Sequence, residues 1–169
     1  GYQIATTEPQ GPVYICLDVG LQEDPVTDMA PLPQIKRYPN PSSPQVDAAT
    51  IDQVARLLVK AANPVVIADY MGRNPGAVAS LIELAELLAL PVIDVGGRFN
   101  FPSTHPLDLT GAEKELLKEA DMVLALDVQH LCKYLTTTAK DTRKSGYLIP
   151  EKCKIIHFTL QHLGIKSWS

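Results

Sequence analysis

Long uninterrupted apolar stretches are missing from this 169-residue sequence. The most apolar segment, residues 77–95, is broken by Glu83, Glu86 and Asp94. A membrane-spanning helix needs about 20 nearly uncharged residues, so no membrane association is expected. A basic excess is missing too. Fifteen Lys and Arg stand against 19 Asp and Glu, giving a formal charge of −4 and a pI near 5.5. That balance argues against a general nucleic-acid binder, which needs a basic face; it leaves room for one small anion at a helix N-terminus. Cysteine is scarce. Cys16, Cys132 and Cys153 are odd in number and form no CxxC pair, the usage of reduced thiols in a cytoplasmic protein. No GxGxxG fingerprint and no GxSxG elbow occurs. The first absence counts against a free-standing dinucleotide enzyme such as an NAD-dependent deacylase, the second against a serine triad. His130, His157 and His162 have no metal-ligand spacing to a cysteine or carboxylate. No secretory signal is visible at the N-terminus. The sequence opens on Gly1 in the middle of what reads as working sequence, so a fragment of a longer polypeptide is expected.

Proline is present in quantity. Six of the 14 prolines, Pro25, Pro31, Pro33, Pro39, Pro41 and Pro44, fall between residues 23 and 45. Each fixes φ and removes a donor, which predicts a semi-rigid connector over residues 23–46. Upstream, GPVYICL at residues 11–17 predicts a short strand. A strand followed by a stiff linker, with no helix between, places residues 1–22 at the end of a preceding domain. Residues 47–169 then form the main domain. There, Thr50-Ile51-Asp52-Gln53 has the form of a capping box, with Ile51, Val54, Leu57 and Leu58 on one helical face. The run PVVIA at residues 64–68 predicts a parallel strand buried on both faces. Asn74 and Pro75 predict the cap and first position of a second helix, with Leu81, Leu84, Ala85 and Leu88 as its apolar stripe. Strands are expected at 91–95, 122–126 and 154–158, a third helix at 112–119, and helix at 128–138. Alternating strands and helices imply an α/β fold, a three-layer Rossmann-like domain with a parallel sheet and helices on both faces.

Four segments carry a family resemblance in order: GPVYICLDVGLQ, AANPVVIADYMGRNPGAVASLIELAELLALPV, GGRFNFPSTHPLDLTG, and EADMVLALD with KCKIIHFTLQHLGI. They resemble the end of the pyrimidine-binding domain and then the central domain of thiamine-diphosphate-dependent enzymes of the acetolactate synthase and 2-oxo acid decarboxylase type. The resemblance covers nearly the whole chain. It implies a six-stranded central domain between two catalytic domains, with thiamine diphosphate and Mg2+ held in the parent by a glutamate of the first domain and a GDG…N motif of the third. No GDG occurs in this sequence. The fragment is therefore expected to hold no cofactor or metal and to have no catalytic residue of its own. Its implied partners are the flanking catalytic domains and further copies of itself in a homo-oligomer.

One candidate binding site remains. In such sheets ligands sit beyond the carboxyl ends of the strands, near the switch in strand order. Those ends carry Gly72, Arg73 and Asn74, then Gly96, Gly97 and Arg98. Glycines admit a close ligand, a capped helix offers N–H groups, and arginines pair with phosphate. Some members of the family hold FAD or ADP in this domain. Against this stand Asp69 and Asp127, which bring negative charge to the same ends, and the short stretch 106–121, where Gly111 is the single glycine. Two readings follow: a structural and assembly domain, or an FAD- or ADP-binding module. His105, in the loop before Pro106, is read as a ring that satisfies backbone groups, and His157 as core or interdomain surface.

Overall fold

In the computed structural model, residues 1–160 are described apart from 9, 27, 30, 40–41, 139–142 and 144. Pro41, His162 and the end of the segment KCKIIHFTLQHLGI lie outside the described residues. The chain divides into two units, Gly1–Gln45 and Val46–Ser169. The first holds helix α1 (Tyr2–Thr6), helix α2 (Val19–Glu23) and a 3-10 turn at Ile35–Arg37. The Thr6 and Thr7 hydroxyls donate to the carbonyls of Tyr2 (2.9 Å) and Gln3 (2.6 Å). Asp18 caps α2, accepting from the Gly20 N–H at 2.9 Å. The strand expected at 11–17 is not there. β-Propensity favours extended backbone but supplies no ladder partner, and Tyr14, Ile15 and Leu17 stand exposed.

The second unit begins with helix α3 (Ala48–Lys60). Its cap is Asp47, three positions ahead of the expected box. Asp47 Oδ1 accepts from the Thr50 N–H (2.9 Å) and Oδ2 from the Thr50 hydroxyl (2.7 Å). A carboxylate satisfies two donors at once here, which the Thr50 hydroxyl as cap would not. Leu58 is buried and Val54 and Leu57 pack on the core, but Ile51, one turn nearer the start, is 49% exposed. Strand β1 (Pro64–Ala68) follows, then a 3-10 turn (Met71–Arg73) and helix α4 (Pro75–Leu88), capped by Asn74 through the Gly76 N–H at 3.1 Å. Leu81 and Ala85 are buried, and Leu84 and Leu88 lie at the core's edge. Ala89 ends α4 in the left-handed region, φ 51°.

Strand β2 (Val92–Asp94), helix α5 (Glu113–Glu119), strand β3 (Met122–Leu126), helix α6 (Leu131–Leu135), strands β4 (Thr136–Thr138) and β5 (Ser145–Tyr147), and strand β6 (Lys154–Phe158) complete the unit. The parallel sheet has the order β2-β1-β3-β6, with Val66 between Val92 and Leu124, and Leu124 beside Ile156. Both faces are covered. Leu58, Leu81 and Ala85 of α3 and α4 pack on Val66, Ala68, Val92 and Leu124. On the opposite face Leu117 and Leu135 of α5 and α6 pack on Val65, Ile67, Ile93 and Val123. Fully burying each Val, Leu or Ile among them contributes about 1.5–3 kcal/mol, which is why the central strands are unbroken apolar runs.

Two expectations need correction. The resemblance implies six strands in the sheet, whereas the described residues place four there and β4–β5 in a separate antiparallel pair. TTT and SGY have no apolar face to bury, and their residues are mostly exposed. Residues 128–138 are helical only over Leu131–Leu135. Three consecutive β-branched threonines then favour extended backbone, and the Thr136 hydroxyl donates back to the Cys132 carbonyl at 2.8 Å as the helix ends.

Candidate functional site

The sheet reverses its order between β1 and β3, since β2 lies on one side of β1 and β3 on the other. The carboxyl ends of these strands are the place to look for ligand chemistry. Three of the four strands end on aspartate: Asp69 directly after β1, Asp94 as the last residue of β2, Asp127 directly after β3. Their apolar runs carry each carboxylate to the same edge, and the loops supply the donors.

Asp69 is 5% exposed and its Oδ2 accepts from the Gln129 N–H at 3.0 Å. Asp94 Oδ1 accepts from Gly96 N–H (2.9 Å) and Asn100 Nδ2 (2.8 Å), and Oδ2 from the N–H groups of Asn100 and Phe101, both at 3.2 Å. Asn100 is fully buried, and its Oδ1 accepts from the Gly72 N–H at 3.0 Å. It therefore ties the loop after β2 to the turn after β1. Asp127 is 8% exposed and sits at φ 52°. Its Oδ2 pairs with Arg73 Nη2 at 3.0 Å, while Oδ1 accepts from the Thr159 hydroxyl (3.2 Å) and the Leu160 N–H (3.4 Å). The network thus runs across the ends of all four strands. Among the described residues no buried side-chain N or O lacks a hydrogen-bond partner.

The field at this edge is negative. Burial pushes the Tyr134 phenol up from its ordinary range, and the Asp69 carboxylate and Tyr70 push it further in the same direction. No three His, Cys, Asp or Glu side chains among the described residues are grouped so as to hold a metal ion. Asp94 and Asp127 each accept two or more hydrogen bonds within the chain, and Asp69 accepts one from Gln129.

Each candidate residue has a place in this edge. A Cβ at Gly72 would run into the Phe99 carbonyl, and one at Gly97 into the Asp69 carboxylate and the Tyr70 ring. Both glycines admit the chain's own atoms. Arg73 pairs with Asp127, and Asn74 caps α4. Gly96 turns at φ 85° and donates to Asp94. Arg98 is exposed, and its carbonyl accepts from Asn100 Nδ2 at 2.9 Å. His105 Nδ1 accepts from the Leu107 N–H at 3.2 Å and Nε2 faces Glu86 at 3.3 Å. This fixes the proton on Nε2, and the ring satisfies a backbone group as expected. His157 is exposed, not core. Asp94, Asn100 and Tyr134 were not singled out from the sequence. The aspartate that follows each apolar run, in IAD, VID and LALD, was the available signal.

One further surface is notable. A charge-free groove of about 740 Å3 runs between α3 and α4, with Ile51, Val59, Leu84 and Leu87 on its walls and Leu124 and Phe158 in its floor.

Comparisons with known proteins bear on this site. Residues 51–167 match the model of a family described as thiamine pyrophosphate enzyme, central domain. The chain is 28% identical over 176 residues to a "Probable acetolactate synthase large subunit" of Methanocaldococcus jannaschii, a match that takes in 94% of this chain and 27% of that protein. It is 36% identical over 104 residues to sulfoacetaldehyde acetyltransferase of Roseovarius nubinhibens, covering 56% of this chain and 17% of the relative. The X-ray structure of an enzyme from Mycobacterium smegmatis, assigned as thiamin diphosphate-dependent, superposes with a TM-score of 0.59 at 21% identity over 91% of this chain and 29% of that one. The chain spans less than a third of the length of each of these proteins.

Proposed function

Because the chain belongs to the family of thiamine pyrophosphate enzyme central domains, we propose that it is the structural and assembly domain of a longer thiamine-diphosphate-dependent lyase or transferase acting on 2-oxo acids, and that it does not catalyse by itself. The observation that carries this reading is the closed strand-end edge. Asp69, Asp94 and Asp127 are each engaged inside the chain, by backbone N–H groups and, for Asp127, by Arg73 as well. An edge whose polar groups are engaged with one another holds its loops rigid and leaves the chemistry to other domains. The residues also do not suit the thiamine diphosphate–Mg2+ pair that the family implies. Among the described residues no carboxylate cluster of metal-binding size occurs, and the sequence has no GDG. When bound in the parent, thiamine diphosphate would supply the stabilised carbanion, and this domain would supply spacing between the parts that hold it.

The names of the relatives, an acetolactate synthase subunit and an acetyltransferase, support the lyase or transferase class. The charge-free groove between α3 and α4 supports an assembly role, since an apolar surface of this kind is one that flanking domains or a second subunit of a homo-oligomer would cover. Three free cysteines support a cytoplasmic setting. Among the described residues no helix is long and apolar enough to cross a membrane.

Two measurements test the proposal. The reading frame around the coding segment is expected to run through both ends, with GDG…N downstream; a frame confined to these residues would end the reading. Calorimetric titration of the isolated chain with thiamine diphosphate and Mg2+ is expected to give no saturable heat, and stoichiometric binding would equally overturn it.

A further inference from the structure

We propose that the strand-end crevice is locked against nucleoside diphosphates by the chain's own groups, with Asp127 as the residue that sets this exclusion. A pyrophosphate at a switch point needs N–H donors from the start of the following helix, space beside small residues, and a cation or a neutral field. All three are taken here. The N–H groups of Gly72, Arg73, Asn74, Gly76 and Ala77 already donate, to Asn100 Oδ1, the Tyr70 and Met71 carbonyls, Asn74 Oδ1 and the Asn74 carbonyl. The space beside Gly72 and Gly97 holds the Phe99 carbonyl, the Asp69 carboxylate and the Tyr70 ring. The charge of Arg73 is directed to Asp127 at 3.0 Å.

Of these three, the charge is the one a single substitution can reverse. Asp127 is a non-glycine residue at φ 52°, a conformation an L-residue adopts at some cost. It persists because its backbone N–H donates to Phe158 (2.7 Å), its carbonyl accepts from Tyr70 (3.2 Å) and its carboxylate gathers Arg73, Thr159 and Leu160. A second buried carboxylate, Asp69, lies on the neighbouring strand end. A phosphate entering between them would meet two like charges and an arginine already turned away from it. Glycine at 127 keeps the left-handed turn without the carboxylate, and lets Arg73 turn toward an incoming phosphate.

This inference rests on reading the strand-end edge as structural, and its test separates the two. The full chain, Asp127→Gly, Asp127→Asn and Asp127→Gly/Arg73→Gln are titrated calorimetrically with ADP and with inorganic pyrophosphate, after circular dichroism confirms the native fold. The unsubstituted chain is expected to show no saturable binding at millimolar ligand. Asp127→Gly is expected to bind ADP at least tenfold more tightly, and Arg73→Gln in the same background to remove that gain. Asp127→Asn keeps the side-chain shape and an acceptor oxygen for Thr159 and Leu160, so it carries the test if the glycine variant does not fold; a gain in the same direction is expected. Saturable one-to-one binding by the unsubstituted chain would overturn both the lock and the structural reading of this edge. Folded variants that bind no better than the parent chain would overturn the role of Asp127 and leave the structural reading standing.

Discussion

Two glycines four residues apart show how differently the same residue type is used. At Gly72 a Cβ would meet the carbonyl carbon and oxygen of Phe99, main-chain atoms that cannot swing aside. At Gly76, in the first turn of α4, the nearest atom to an added Cβ is Asn74 Oδ1 at 3.4 Å, an ordinary contact. Gly72→Ala is therefore expected to destabilise the chain by about 1–3 kcal/mol, the range for overpacking a tight site. Gly76→Ala is expected to stabilise it by roughly 0.5–1 kcal/mol, because glycine in a helix loses more backbone freedom than alanine. Urea denaturation of the two variants checks the pair. Equal midpoints would mean that the loop after β2 does not press on the turn after β1, and the closed edge would lose its steric basis.

Among the elements, the point where strands begin is stapled as firmly as the point where they end. Asp121, just ahead of β3, accepts from the Ala62 N–H (2.7 Å) and the Asn63 N–H (2.9 Å), and its carbonyl accepts from the Lys154 N–H (2.9 Å) at the start of β6. The hydrogen bond from Ala62, then that from Asn63 and the charge of Lys154, hold the Asp121 carboxyl below its usual 3.8 against the opposing effect of burial. Asp47 is lowered in the same direction, chiefly by the Thr50 hydroxyl. A carboxyl that binds its proton less tightly in the folded chain adds stability above its unfolded pKa and loses it as pH falls through the lower folded value. Stability is thus expected to fall as pH drops below about 4, and Asp121→Asn to flatten part of that fall. Urea melts between about pH 6 and pH 2.5 measure it; an unchanged slope in the variant would show that the staple carries no linkage. The staple and the strand-end network also mark where the sequence stopped being readable. β1, β3 and β6 matched their apolar runs, and the Asn74-Pro75 start of α4 was correct, because those signals are local. The sequence pattern points to Thr50 as the cap and the structure has Asp47; both residue types suit a cap, and only backbone geometry chooses between them. The contacts from Gly72 to Asn100 and from Gln129 to Asp69 join residues 28 and 60 positions apart. No periodicity encodes such pairs; only the sheet order brings them together.

For the whole molecule, the question is what the first 45 residues contribute to the stability of the rest. Every member of the two core clusters, including the partly buried side chains packed against them, comes from Val54 or later. The cap of α3 is Asp47. Among the described residues of the first unit, Tyr14, Leu21, Met29 and Leu32 are more than three-quarters exposed, and Ile15, Leu17 and Val19 more than half. Hydrophobic burial is the dominant stabilising contribution to a fold, so a chain that begins at Val46 keeps all of it. Such a truncation is expected to unfold cooperatively, with a Tm within about 2 °C of the full chain, because a loss of 1 kcal/mol moves a domain of this size by roughly 2–4 °C. Differential scanning calorimetry of the two chains decides it. A fall well beyond that margin would mean that residues 1–45 stabilise the sheet domain directly. An unchanged Tm would show that residues 1–45 add nothing measurable to the stability of the sheet domain.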